Sequence, residues 1–227
     1  MAPPAVAASR RAELALRLGA GALLLIAACW LFGAIAEDVV GGGRLTTLDS
    51  EIAQWLHRRA QAPLTRAMLV VTNLQSTVAI ACYAAIAGAG FAWRRRWREL
   101  ATVVVAIGGG LLLNVLMKHA FQRARPTFDE PLLTLASYSF PSGHVAASTI
   151  FYGLVVAWTF ARTSRPLWRA LAVAGALAMI ALVAFTRMYL GLHYLSDVVA
   201  AFAEGVAWLA ICLGALAAYW HRRGVAP

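Results

Sequence analysis

Thr186-Arg187-Met188-Tyr189-Leu190-Gly191-Leu192-His193-Tyr194-Leu195-Ser196-Asp197 places a cation, an imidazole and a carboxylate inside otherwise apolar sequence. Apolar runs flank it over about 168–186 and 193–219, each near or above the roughly 20 residues that cross a bilayer. The polar groups therefore sit where two spans meet, at a membrane edge. Read as a helix, His193 and Asp197 are one turn apart and share a face, so the carboxylate can hold the imidazole in one tautomer. That arrangement prepares a basic or nucleophilic histidine.

Composition extends the membrane reading to the whole chain. Of 227 residues, 61% are hydrophobic and only 13% charged, far too apolar for a soluble domain. Four further runs, at about 18–36, 67–92, 100–118 and 143–161, complete a set of six. All six are expected to be helices, because only helices and closed barrels satisfy their backbone groups in lipid. The fold class is thus all-α, a six-transmembrane-helix bundle. It is expected to have a cytoplasmic tail over 1–17, one membrane domain over 18–219 and a cytoplasmic tail over 220–227. Arg10, Arg11 and Arg17 followed by a run ending Ala34-Ile35-Ala36 also resemble a signal peptide, but an uncleaved first span is favoured. Either outcome leaves the remaining topology unchanged.

The net charge of +10 could suggest nucleic acid, yet the basic residues fall in short clusters between apolar runs, the pattern of membrane orientation. No nucleic-acid partner is expected. With the N-terminus inside, Arg10, Arg11, Arg17, Arg94, Arg95, Arg96, Arg98, Arg162, Arg165, Arg169, Arg222 and Arg223 are cytoplasmic, twelve of the twenty Lys and Arg residues. The remaining eight are offset outside by Glu37, Asp38, Asp49, Glu51, Asp129, Glu130 and Asp197. Both termini are therefore expected in the cytoplasm. Between the first two spans, Leu48, Ile52, Trp55 and Leu56 recur at helical spacing, which predicts an amphipathic interfacial helix. Cys29, Cys82 and Cys212 all fall inside apolar runs without paired spacing, so neither a disulfide nor a zinc site is expected.

Lys118 and Arg125 follow the end of the third run, His144 begins the fourth, Arg187 ends the fifth and His193 begins the sixth. All belong to the same membrane face, the outer one by the charge count. Lys118, Arg125 and Arg187 run against the orientation bias, and a bias is broken for a reason. Ser139-Phe140-Pro141-Ser142-Gly143-His144 carries helix-start signals, and free amides at a helix N-terminus bind anions. Three cations, two histidines and a helix N-terminus describe a site for a dianion such as phosphate.

Lys118-x6-Arg125-Pro126, then Pro141-Ser142-Gly143-His144, then Arg187-x5-His193-x3-Asp197 resemble the three ordered motifs of the type 2 phosphatidic acid phosphatase superfamily, whose soluble relatives include vanadium haloperoxidases. The resemblance covers roughly residues 67–215. One departure is Thr186, where the family usually has serine; the hydroxyl is kept. The resemblance implies a lipid phosphatase in which His193 is the nucleophile, forming a phosphohistidine, and Asp197 orients it. It implies that His144 protonates the leaving oxygen and then activates water. Lys118, Arg125 and Arg187, with Ser142 and the Gly143 amide, would hold the phosphoryl oxygens. Each role agrees with the demands of phosphoryl transfer, which are positioning and charge neutralisation.

No acidic cluster of the kind magnesium requires accompanies the motifs, so neither metal nor cofactor is expected. His119, Arg123 and Asp129 are secondary candidates for a head group. Glu204 lies about 10 Å deeper than Asp197 at 1.5 Å per residue, and an intramembrane carboxylate needs a polar partner. Asn73, Gln75 and Asn114 are the candidates. The expected partners are the bilayer and a lipid phosphate, and a bacterial inner membrane is the expected location. Undecaprenyl diphosphate, phosphatidic acid, phosphatidylglycerol phosphate and lipid A-type phosphates are all compatible. A lipid-to-lipid phosphotransferase would use the same site; a transporter would not gather every motif at one face, and no inverted repeat is visible.

Overall fold

The computed structural model describes residues 4–223; the side chains of Arg10, Arg11 and Arg17 and the tail residues 1–3 and 224–227 lie outside the described residues. Nine α-helices and one π-helical turn make up the described residues: α1 (Pro4–Gly41), α2 (Arg44–His57), α3 (Ala62–Leu74), α4 (Thr77–Trp93), α5 (Trp97–Val103), the π turn (Val104–Gly108), α6 (Gly109–Phe121), α7 (Gly143–Arg162), α8 (Pro166–Tyr189) and α9 (Leu195–Arg222). The stretch expected as an N-terminal tail is helical from Pro4. Its alanine-rich sequence favours helix, and proline is tolerated in a first turn.

Five helical segments are long and apolar enough to cross a membrane, and a sixth arises if α3 and α4, bent by 41° at their junction, form one broken span. The protein is an integral membrane protein with the all-helical bundle expected. The continuous second span expected over 67–92 is corrected to two helices, α3 and α4, that meet at a bend. Ser76 caps α4 by accepting the Ala79 N–H at 3.1 Å, and a capped start is the local signal for a new helix. Large apolar side chains such as Trp30 (73% exposed) and Ile86 (72%) point outward, as they must where lipid replaces water.

α7 and α9 form the centre, with α1 and α8 packed against them. One core cluster joins Val145 and Ala146 of α7 to Val183 of α8 and Val198 and Ala201 of α9. Another joins Ile35 and Ala36 of α1 to Phe140 and Ala200. The third span is held against α9 by Trp208, whose indole N–H donates to the Ala106 carbonyl of the π turn at 2.8 Å. The same carbonyl also accepts the Gly109 N–H, so the indole bond is a second one on it. Gly110 makes the approach feasible, since a Cβ there would stand 2.3 Å from Ile150 Cδ1 and 3.1 Å from Trp208 Cδ1. These contacts set the rotation of α6, and with it the direction of Asn114 and Lys118.

α2 is helical and amphipathic, but its inner face is Asp49, Ala53 and Leu56. Leu48 and Trp55, expected on the apolar face, are each 49% exposed. Outward apolar groups are what an interfacial helix offers to lipid, while the stripe one residue on, which carries the Asp49 carboxylate, packs against the bundle.

Candidate active site

The chain folds its three polar stretches onto one end of the bundle. Lys118 is in the last turn of α6 and Arg187 in the last turn of α8. Gly143 and His144 begin α7. Lys118, Arg125, Gly143, His144, Arg187 and His193 line one cavity of about 320 Å³, with Asn114 below them. A larger hollow of about 480 Å³ lies among Trp158, Arg162, Arg165 and Trp168, but no histidine or carboxylate lines it. The smaller cavity is therefore the candidate site.

His193 is not on the helix as expected. It sits in the connection before α9, whose N-cap is Tyr194. Asp197 reaches back from the first turn to accept the Tyr194 N–H at 3.0 Å and to meet His193 Nδ1 at 3.3 Å with the same Oδ2. The pairing is the expected one, made by a helix-start carboxylate rather than by two residues on one helical face. Arg125 Nη1 stands 3.2 Å from His193 Nε2. A guanidinium has no acceptor, so Nε2 must be the lone-pair nitrogen and Nδ1 must carry the proton toward Asp197. The tautomer is fixed from both sides.

Burial, followed by the charges of Arg187, Arg125 and Lys118, pushes the His193 pKa well below the ordinary histidine value. The imidazole is neutral at pH 7, as a nucleophile must be. The connection that carries it depends on Gly191, whose φ of +69° is a left-handed conformation. A Cβ at this position would lie 2.6 Å from Phe128 Cε2. The Leu192 and His193 N–H groups both donate to the Arg187 carbonyl, at 3.0 and 3.3 Å. Gly191 thereby sets Arg187 and His193 beside one another.

The cations are tethered to different degrees. Arg125 spends its donors on protein acceptors, including the Leu192 carbonyl at 2.5 Å and Ser137 Oγ at 2.9 Å, and brings chiefly its charge to the cavity, whereas Arg187 keeps a donor free. Lys118 Nζ donates to the Tyr138 carbonyl at 2.7 Å. Arg125 Nε donates to the Ser137 carbonyl at 2.7 Å and Nη2 to the Tyr138 carbonyl at 3.0 Å. Arg187 Nη1 donates to Thr72 Oγ1 at 2.7 Å. Arg187 Nε and Ser142 Oγ are buried without a protein partner, an expensive condition unless a ligand supplies one. Ser142 is the N-cap of α7 yet makes no side-chain cap bond, while its N–H donates to the Asp197 carbonyl at 3.1 Å. A phosphoryl group has the acceptors these donors require.

The secondary candidates are placed differently from one another. His119 and Asp129 are exposed. Arg123 is turned inward, its Nη1 on Asp197 Oδ1 at 2.6 Å and its Nη2 on Asp49 Oδ2 at 2.8 Å. Glu204 accepts the Asn114 amide at 2.9 Å, whereas Gln75 takes the Tyr152 hydroxyl at 3.0 Å and Asn73 is exposed. Sequence reasoning missed Thr72, the acceptor for Arg187, and Asp49. The signal for Asp49 was available in its i, i+4, i+7 register with Ala53 and Leu56.

The comparisons with known proteins agree with this geometry. The chain is 29% identical over 181 residues to phosphatidylglycerophosphatase B of Bacillus subtilis (strain 168), covering 78% of this chain and 87% of that protein. It is also similar to the crystal structure of a transmembrane PAP2-type phosphatidylglycerolphosphate phosphatase from Bacillus subtilis, with a TM-score of 0.70, 27% identity, and coverage of 86% of this chain and 94% of that one. The profile of the PAP2 superfamily matches residues 99–221, more than half of the chain and all three polar stretches. The chain belongs to the PAP2 superfamily and is a phosphatase.

Proposed function

We propose that this protein hydrolyses the phosphomonoester or pyrophosphate of a membrane lipid through a phosphohistidine on His193, without a metal ion, at the outer face of a bacterial inner membrane. The observation that carries this reading is His193 itself: a neutral imidazole with Nδ1 on Asp197 and Nε2 facing a cavity lined by Lys118, Arg125 and Arg187. Those cations, the Ser142 hydroxyl and the open amides at the start of α7 receive the phosphoryl oxygens and neutralise the charge that develops on them. His193 Nε2 attacks phosphorus as the bond to the lipid oxygen breaks, and His144 delivers a proton to that oxygen. In the second step His144 takes a proton from water, the water oxygen attacks phosphorus, and the P–N bond to His193 breaks to release inorganic phosphate.

A site at span ends receives a head group whose tails stay in the bilayer. Among candidate lipids, phosphatidylglycerol phosphate is the first to test, since the Bacillus subtilis relative is named for it. The outer orientation and cytoplasmic termini rest on the arginine and lysine count of the loops. Purified protein in mixed micelles should release inorganic phosphate from phosphatidylglycerol phosphate, phosphatidic acid or undecaprenyl diphosphate, at an undiminished rate in excess EDTA and with no added lipid acceptor. His193→Ala should abolish release from every substrate. Turnover retained in His193→Ala would sink the mechanism, and release that depends on an acceptor lipid would favour a phosphotransferase.

A further inference from the structure

The interfacial helix α2 lies outside the region matched to the family, residues 99–221, yet one of its side chains is built into the site. Asp49 is 2% exposed. Its Oδ1 accepts the Ser196 N–H at 2.9 Å, and its Oδ2 accepts Arg123 Nη2 at 2.8 Å and the Ser196 hydroxyl. Arg123 Nη1 continues to Asp197 Oδ1 at 2.6 Å and Ser196 Oγ at 2.7 Å. The Tyr194 ring lies 4.3 Å from the guanidinium carbon. Asp197 Oδ1 is thus held by Arg123, and Oδ2 is left to the Tyr194 N–H and His193 Nδ1. Burial works against the Arg123 charge, but the Asp197 and Asp49 carboxylates outweigh it and hold its pKa above the ordinary value.

Charge balance gives the arrangement a purpose. Arg123 alone against Asp197 would neutralise the carboxylate that His193 needs when its ring becomes cationic on phosphorylation. A second carboxylate restores the net negative charge and locks the guanidinium in a bidentate-type bridge. We propose that Asp49 is a positioning residue for catalysis, acting through Arg123 and Asp197 to hold the His193 imidazole with its proton on Nδ1. This proposal rests on His193 being the nucleophile.

The test compares wild type, Asp49→Asn, Arg123→Gln and the double variant for kcat and KM of phosphate release, with His193→Ala and the exposed α2 control Glu51→Gln. A group one step removed from the tautomer-setting carboxylate is expected to lower kcat about tenfold while KM changes by less than about twofold. In the Arg123→Gln background, Asp49→Asn should add less than about a further twofold, because the two act as one unit. Nitrogen-15 NMR of the His193 ring should show the Nδ1–H form losing population in Asp49→Asn and staying unchanged in Glu51→Gln. Wild-type kcat in Asp49→Asn, independent multiplying losses in the double variant, or an unaltered His193 tautomer overturns the proposal. If Asp49→Asn does not fold, Arg123→Lys, which keeps the charge and gives up the bridge, must show the same kcat loss and tautomer shift, and their absence is equally decisive. Full turnover in His193→Ala would instead refute the phosphohistidine reading itself, so the two failures are distinct.

Discussion

Replacing Gly191 by alanine should damage catalysis more than it damages the fold. A non-glycine residue in the left-handed region costs about 1–2 kcal/mol, and φ here is +69°. The added Cβ would meet Phe128 Cε2 at 2.6 Å, about 1 Å inside a comfortable carbon–carbon contact. Phe128 has little room to retreat, because it stacks on His57 of α2 with ring centroids 4.1 Å apart. Overpacking of this kind typically adds about 1–3 kcal/mol. The strain has a direct route to the chemistry, since the next two amides both donate to the Arg187 carbonyl. A backbone shift that relieves the overlap displaces His193 from Arg187, and a misplacement near 1 Å costs about 100-fold in rate. The expected result is a folded protein with lowered Tm and a kcat reduced about 10- to 100-fold, read by phosphate release from mixed micelles alongside thermal unfolding. Gly191→Ala combined with Phe128→Ala should recover part of the rate by removing the overlap while leaving the φ strain. A Gly191→Ala variant with wild-type kcat would refute the claim that this turn sets the site.

Two further outcomes follow from burial and charge. His193 titrates below the ordinary value of about 6.5 because it is buried and faces three cations. Its NMR signals should therefore still report the neutral ring at pH 6.5. The sign for stability follows: the unfolded chain binds this proton first, so His193 contributes no pH dependence above about 6.5 and costs stability as pH falls from there toward its folded pKa. A midpoint at or above 6.5 would contradict the site's electrostatics. Glu204→Leu removes the acceptor of the Asn114 amide, leaving a buried donor unpaired at a cost of about 1–3 kcal/mol. Asn114 lines the cavity below Lys118, so a fall in both Tm and kcat is expected; wild-type values for both would exclude a role for the pair.

The six-span bundle was legible because lipid allows so few solutions to the backbone. The motif residues were legible because cations, histidines and a helix-start serine recur at span ends where an apolar chain has no other use for them. Periodicity read less well where a polar residue occupies an apolar stripe. The stripe of α2 that packs on the bundle escaped notice, since helical periodicity counts apolar residues and this inner face is organised around Asp49 and its buried charge network. The break between α3 and α4 is signalled locally by the polar cluster Thr72-Asn73-Leu74-Gln75-Ser76-Thr77, which the apolar residues on either side outweigh in a span-length average. Arg123 looked like a solvated loop cation because its two carboxylate partners are 74 residues away in either direction, a pairing that no local pattern encodes.

The π turn at Val104–Gly108 acts as a phase shifter for the third span. One extra residue in a turn advances every later side chain by about 100° around the helix axis. Asn114 and Lys118, four residues apart on α6, inherit that rotation together. Wound as uninterrupted α-helix from Trp97, the same residues would present both groups along another azimuth, away from the cavity they line. The span can thus meet the membrane with whatever apolar surface its first half requires, while its last turn is aimed independently at the chemistry. Indole Nε1 of Trp208, clasping the Ala106 carbonyl, is the pin that keeps the setting from slipping.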